Sequence, residues 1–235
     1  MNKTDLTPFD KNYKRFIDAG TDWKEIFEGI LSGELPKKPL GVPISSEEVT
    51  EEWLNGLPAL VKAPKFKIRP FRELVTPYVK KIEDEFRPHL NGVRVANGFS
   101  YWTDAYVLFK VNDGVEEDFI HPDAVGSDNP NYEAIIPTYD MLPEYPDLAD
   151  WYVKAYAAHE VNRLLIEPTV FLRYNGIPLS APVVLKALKI ALGLHPDWEL
   201  THGEVNRAVR FDSEGDMMLV MPSVLRGEGF KIIEL

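Results

Sequence analysis

Apolar positions along the chain follow two rhythms, one helical and one alternating. Trp23, Ile26, Phe27, Ile30 and Leu31 recur at i, i+3, i+4, i+7 and i+8, which places them on one face of a helix. Thr21 and Asp22 stand where a cap belongs, and Gly33 and Pro36 end the pattern. Residues 36–44, PKKPLGVPI, read as a proline-rich linker. Ser45 with Glu48 resembles a capping box and predicts a short helix through Trp53 and Leu54, which Pro58 and Pro64 break. KFKIR, residues 65–69, alternates as a strand does. Phe71, Leu74, Val75, Tyr78, Val79, Ile82 and Phe86 then predict a helix that Pro77 kinks or shortens. Strands are expected at 93–96, 99–103 and 106–111, joined by Asn97-Gly98 and Thr103-Asp104.

A second set of elements follows. Residues 148–166 carry Leu148, Trp151, Tyr152, Ala155, Leu164 and Leu165, and read as a helix. TVFLRY, residues 169–174, is a strand, and Ser180 caps a helix that runs over 181–192 and stops at Gly193. Strands are expected near 198–201, 207–211 and 217–221, with FKIIEL as one more. The order strand, helix, strands therefore occurs twice. That is the trace of a duplicated unit, and it predicts an α+β fold with two helices against antiparallel sheets. Residues 1–63 form a helical extension, and residues 64–235 form the domain that carries the duplication.

Composition narrows the function classes. The chain has 235 residues, 45% hydrophobic and 27% charged, as an ordinary globular protein does. It has no cysteine, which excludes disulfides and thiolate chemistry. MNKTDLTPFDKNYKRF contains no apolar run, and no segment approaches the roughly 20 apolar residues of a membrane helix, so a cytoplasmic protein without membrane contact is expected. The net charge of −11 looks unsuited to nucleic acid. However, residues 114–150 hold ten acids and no Lys or Arg, so the rest of the chain is nearly neutral and has room for a basic face. The acidic connection itself reads as a solvated loop.

Motifs for covalent chemistry are absent. His159-Glu160 begins like a zinc helix, but position 163 is Arg, so HExxH is not formed. The five histidines, His89, His121, His159, His195 and His202, show no ligand spacing, and GxSxG, P-loop and GxGxxG are missing. No metal, no cofactor and no enzyme activity are expected.

Three phrases carry a resemblance. LNGVRVANGFSYWTDAYVLFKV (90–111) contains a Thr-Asp turn at Thr103-Asp104. NPNYEAIIP spans 129–137, and Leu219-Val220-Met221-Pro222-Ser223-Val224-Leu225 closes the second unit. In this order they resemble one domain of the bacterial DNA sliding clamp, the beta subunit of DNA polymerase III. Small one-domain chains of this type look like phage or mobile-element proteins. The resemblance covers residues 65–235 less the acidic connection. It departs from the family in domain number, since a full clamp chain has three such domains, and NPNYEAIIP stands before the second unit instead of after it.

The resemblance implies a non-catalytic accessory of DNA replication whose helices offer cations to phosphates without reading bases. On this chain those cations are Lys186 and Lys189 on the second helix, and Arg72, Lys80 and Lys81 on the first. It also implies an apolar groove for a partner peptide, lined by Met221, Pro222, Val224 and Leu225. The expected partners are double-stranded DNA, a polymerase or other replication protein, and further copies of the chain, because one domain encircles DNA only as an oligomer. The plainer readings stay open: solvated lysines on amphipathic helices, and an ordinary edge or core strand. The rival function is a protein-interaction module that has the clamp fold and does not bind DNA.

Overall fold

The computed structural model describes residues 22–35, 46–79, 92–120, 131–137, 144–165, 169–202, 207–225 and 229–235. In chain order the helices are α1 (Trp23–Ser32), α2 (Glu51–Gly56), α3 (Phe71–Val75), α4 (Leu148–Asn162) and α5 (Ala181–Leu194). The strands are β1 (Gly92–Ala96), β2 (Phe99–Thr103), β3 (Val107–Val111), β4 (Phe119–Ile120), β5 (Val170–Tyr174), β6 (Ile177–Leu179), β7 (Glu199–His202), β8 (Val209–Ser213), β9 (Asp216–Val220) and β10 (Lys231–Glu234). The fold is α+β. The chain divides into two compact units: residues 1–64, 149–173 and 225–235 form one, and residues 65–148 and 174–224 form the other. α4, most of β5 and β10 group with the N-terminal helices.

In the first unit, Asp22 caps α1 by accepting a hydrogen bond from the Lys24 amide at 3.1 Å, and Gly33 closes it with φ 87°. Its apolar stripe is buried at Ile26, Phe27, Ile30 and Leu31. The stripe packs in cis: Trp53 of α2 meets Trp23 edge-on at 5.2 Å and Phe27 at 5.7 Å, and its indole N–H donates to Glu28 at 2.5 Å. The cap of α2 is Thr50, which accepts from the Trp53 amide, and a 3-10 turn at Ser46–Glu48 precedes it; Ser45 lies outside the described residues. Pro58 does not break the chain here. It occupies the first turn of a 3-10 helix, Leu57–Leu60, where its missing N–H has no role. Asn162 at the end of α4 exchanges two side-chain hydrogen bonds with the backbone of Val170, tying that helix to β5. β10 pairs with β5 in parallel, Lys231 opposite Val170 through Glu234 opposite Arg173.

The second unit is built on a seven-stranded sheet in the order β4-β1-β2-β3-β9-β8-β7. All of its strand pairs are antiparallel. β3 meets β9 at the centre, with Val107 opposite Val220 and Lys110 opposite Met217. The run α3-β1-β2-β3 is therefore matched across that pair by α5-β7-β8-β9, and the expected duplication is present as a pseudo-two-fold arrangement. Turns with left-handed residues serve both halves, Asn97-Gly98 in one and Glu214-Gly215 in the other.

One side of the sheet carries Trp102, Phe109, Phe211 and Met218, all essentially inaccessible, with Phe71 of α3 and Trp198 at ring contact with Phe109. The opposite side carries Tyr101, Leu108, Met217 and Leu219, covered by Tyr132 and Ile136. Gly193 lies inside α5 and does not end it. A Cβ there would stand 2.7 Å from Leu74 Cδ2, so the glycine is needed for the close approach of α3 to α5, and the helix continues to Leu194.

Three further expectations change. KFKIR joins no ladder; its one backbone link to α5 is the Arg69 amide donating to the Gly193 carbonyl at 2.9 Å. The helix expected over 71–86 is α helical only through Val75, then 3-10 over Thr76–Tyr78, because Pro77 cannot donate to the α-helical ladder. Its continuation falls outside the described residues.

The acidic connection, expected as a solvated loop, keeps most of its described acids exposed, but three stretches of it are tied to the sheet. β4 pairs with β1, Asp118 accepts from the Arg94 guanidinium at 3.1 Å and from the Val95 amide at 2.7 Å, and Glu144 forms a two-way bridge with Leu200. Gly92 permits the β1–β4 pair, since a Cβ there would fall 2.0 Å from the Phe119 carbonyl oxygen.

Residues 131–137 of NPNYEAIIP form a strap over the sheet. Asn131 caps its 3-10 turn, Tyr132 stacks on Tyr101 at 4.7 Å, and Arg210 donates to the Pro137 carbonyl at 2.8 Å. Glu133 accepts from Lys110 at 2.8 Å and from the Tyr101 hydroxyl at 2.5 Å. The Lys110 bond, and then the Tyr101 bond, hold its carboxyl below its ordinary value of 4.5. The sign follows: a depressed carboxyl stabilises the fold above the unfolded value, and that contribution is lost as pH falls through the folded one. Urea unfolding at stepped pH should therefore show Glu133→Gln with a shallower loss of stability than the parent protein below pH 4.5. Parallel curves would remove Glu133 as a clasp. Burial also pushes the Tyr132 hydroxyl up to about 12, so it should ionise after exposed tyrosines in an alkaline absorbance titration.

Candidate functional site

Of the five expected cations, Lys186, Lys189 and Arg72 lie among the described residues. α5 has no acid in its sequence, yet ten of its fourteen residues are buried, leaving a narrow polar stripe. On that stripe Lys186 is three-quarters buried or more and engaged in an ion pair with Asp104. Asp104 sits in the β2–β3 turn, where its other carboxylate oxygen accepts from the amides of Tyr106 at 3.1 Å and Val107 at 3.0 Å. The Thr-Asp turn thus locks Lys186 down. Lys189 is exposed and has no ion pair among the described residues. Arg72 of α3 donates to the backbone carbonyl of Glu117 and is turned toward the acidic connection. Lys80 and Lys81 lie outside the described residues. Helical spacing correctly placed Lys186 and Lys189 on one side, but it carried no information about Asp104, which is 82 positions away from Lys186 in the chain.

The end of β9 presents a different surface. After Val220 the chain leaves the central pair. The Met221 amide donates to the Tyr106 carbonyl at 2.9 Å, and the Ser223 amide donates to the Pro178 carbonyl at 2.8 Å. The segment is thereby held between the β2–β3 turn and β6. Met221 is 44% exposed, Val224 78%, and the neighbouring Tyr106 58%. Pro222 is half-buried. Leu225, also half-buried, groups with the first unit. Tyr106 was not among the expected groove residues. Its signal was available: an aromatic residue directly after a tight turn, where a polar residue is the usual choice.

His195 has a structural setting. His195 Nε2 meets Asp216 at 2.6 Å, and Asp216 also accepts from the Asn112 amide at 2.8 Å, so this pair fastens the C-terminal end of α5 to the β8–β9 hairpin. His159 lies on α4 and His202 on β7, while His89 and His121 lie outside the described residues. Among the described residues no group of three or more His, Asp or Glu is arranged to hold a metal ion. A cleft of about 230 Å³ is lined by Tyr145, Asp197, Glu199, Asp212, Ser213, Glu214 and Gly215. Its polar groups bond to each other and to nearby backbone: Tyr145 donates to Glu199 at 2.8 Å, Asp212 accepts from Arg210, and Ser213 donates to the Asp197 carbonyl. No helix among the described residues is long and apolar enough to cross a membrane.

No protein-family model matches the chain. No curated protein sequence matches it either. Among solved structures it is similar to DNA polymerase III subunit beta from Borrelia burgdorferi, with 12% identity, a TM-score of 0.45, and coverage of 67% of this chain and 62% of that one. It is also similar to the DNA polymerase sliding clamp from Pseudomonas aeruginosa, with 16% identity, a TM-score of 0.45, and coverage of 66% and 64%. The beta chain of DNA polymerase III from Streptococcus pneumoniae stands at 11% identity, a TM-score of 0.46, and coverage of 70% and 66%. The chain thus spans about two thirds or less of the length of these proteins.

Proposed function

We propose that this protein is a non-catalytic, clamp-type accessory of DNA replication that works chiefly by holding a partner polypeptide. The observation that carries this reading is the exposed apolar surface of Tyr106, Met221 and Val224 at the end of β9. Large apolar side chains grouped on a surface mark a contact for another molecule. Here they stand on backbone that is itself fixed by hydrogen bonds, so a bound peptide would meet a preformed surface. The pseudo-two-fold run of helix and three strands, together with the three sequence phrases, supports the clamp-type assignment.

The test is fluorescence anisotropy with short labelled peptides carrying adjacent Leu and Phe side chains. Burying one large apolar side chain contributes about 1.5–3 kcal/mol, so Met221→Asp and Tyr106→Ala should each weaken binding by about tenfold or more. Equal affinity of the parent protein and a Tyr106→Ala/Met221→Asp double variant would dismiss the groove. Light scattering on the same samples reports whether copies of the chain assemble, as a ring would require.

The DNA-binding reading keeps one specific observation in its favour, the exposed Lys189, which has no ion-pair partner among the described residues. Lys186 contributes little to it while Asp104 holds the ammonium.

A further inference from the structure

The turn that presents Tyr106 is held in an unfavoured shape. Ala105 stands between Asp104 and Tyr106 with φ 75°, in the left-handed region that a residue with a Cβ seldom adopts. Such a conformation persists only where its surroundings over-determine it, and it recurs in ligand clamps. Here side chains supply the constraint. Thr103 Oγ1 accepts from the Ala105 amide at 3.1 Å, and Asp104 Oδ1 accepts from the amides of Tyr106 at 3.1 Å and Val107 at 3.0 Å. The Asp104 amide donates to the Val107 carbonyl at 3.3 Å.

Asp104 is fixed in turn from α5. Its Oδ2 pairs with Lys186 Nζ, and only 18% of either side chain is exposed. A pair that is mostly shielded from water is screened less than one on the surface. One carboxylate therefore closes the turn with one oxygen and fastens it to the helix with the other. The apolar surface follows from that. The Met221 amide donates to the Tyr106 carbonyl at 2.9 Å, so the backbone under Tyr106 and under Met221 moves with the turn. With its side chain on a residue 58% exposed, Tyr106 takes its place chiefly from the backbone beneath it.

We propose that Lys186 and Asp104 are positioning residues for the peptide surface: their ion pair holds the β2–β3 turn where Tyr106 and Met221 face one ligand. This role rests on the peptide reading of that surface, and it falls to a lysine that lies on α5 and acts through Asp104. The ligand class is a short peptide with adjacent large apolar side chains. Losing the pair leaves the surface chemically intact but less preorganised. The fraction of molecules with the turn in its binding shape falls, and the apparent affinity falls by the same factor.

The experiment joins fluorescence anisotropy on the full chain, with the labelled Leu-Phe peptides, to amide hydrogen exchange on the unliganded protein. Lys186→Met keeps the stem and removes the charge, and it should weaken binding by about three- to tenfold. Asp104→Asn should do the same, because asparagine still offers an oxygen to the Tyr106 and Val107 amides. Asp104→Ala removes that oxygen as well and should bind more weakly than either. The double variant Lys186→Met/Asp104→Asn should match the single variants and not their product, since the two residues act as one unit. Lys186→Arg keeps the charge and should restore most of the affinity. Lys154→Met removes a cation paired with Asp150 on α4 and should leave binding unchanged.

Exchange reads the positioning without a ligand. The amides of Tyr106, Val107 and Met221 should exchange faster in Lys186→Met than in the parent protein, while the Phe109 amide at the centre of the sheet does not change. Equal loosening at Phe109 would mean a general loss of stability and would overturn the positioning role. Parent-like affinity in both Lys186→Met and Asp104→Asn overturns the proposal and leaves the peptide reading standing. A loss that Lys186→Arg fails to restore also overturns it, because the charge is then not what matters. A parent protein that binds no peptide overturns both readings, whatever exchange shows at the turn.

Discussion

Phe109→Ala should lower the unfolding free energy by about 3–5 kcal/mol, the usual cost of truncating a buried phenylalanine. Phe109 is fully buried at the centre of β3, where the two halves of the pseudo-two-fold sheet join. Its ring touches Phe71 of α3 at 6.0 Å, Trp102 of β2 at 6.4 Å and Trp198 at 6.5 Å. Met218 stands opposite it on β9. Four segments therefore lean on one ring, and each is held elsewhere by its own backbone hydrogen bonds. They cannot all close on the space that alanine would leave, and the cost of a cavity rises with the volume that remains. Urea unfolding should show a lower midpoint with the slope preserved, since the surface exposed on unfolding barely changes. A loss below about 1 kcal/mol would mean that the helices are not seated on this side of the sheet.

Asp118→Ala should be comparably severe, about 3–5 kcal/mol, because it strands a buried cation. Arg94 is 3% exposed. Asp118 is its ion-pair partner, while its Nε and Nη2 make no hydrogen bond among the described residues. The second oxygen of Asp118 accepts from the Val95 amide, so the substitution also removes an acceptor from the β1 backbone. The double variant Arg94→Met/Asp118→Ala gives the control. With the cation gone the penalty should largely disappear, since an apolar replacement for a buried ion pair is often neutral or better. A double variant as unstable as Asp118→Ala alone would show that the loss comes from elsewhere in the connection. The expected recovery would establish that part of the acidic stretch is a structural clip, with its charge directed at Arg94 and not at an external partner.

Taken alone, the sequence determined features that depend on neighbours in the chain. The spacing of Trp23 to Leu31 marked α1, with its cap at Asp22 and its stop at Gly33. Asn97-Gly98 marked a hairpin because its backbone angles are accessible mainly to those residues. The doubled order of elements indicated an α+β fold, and helical spacing placed Lys186 and Lys189 on one side of α5. Capping, turn angles and amphipathic spacing act over a few residues, so they leave local signatures that survive without any alignment.

Only the tertiary structure decided the features that join distant residues. It paired β3 with β9 and so turned two separate runs into one seven-stranded sheet. It set Asp104 against Lys186 and removed that lysine from the free cations. It folded residues 131–137 onto Tyr101 and pinned Asp118 to Arg94, so a run of acids that stays mostly exposed is nonetheless fastened to the sheet. It also left KFKIR, an expected strand, unpaired beside α5, because Arg69 bonds to Gly193 and no strand among the described residues lies alongside to complete a ladder. Alternation records which residues can share a side, but a strand exists only when a second strand supplies the hydrogen bonds, and that partner is chosen by packing far away in the sequence.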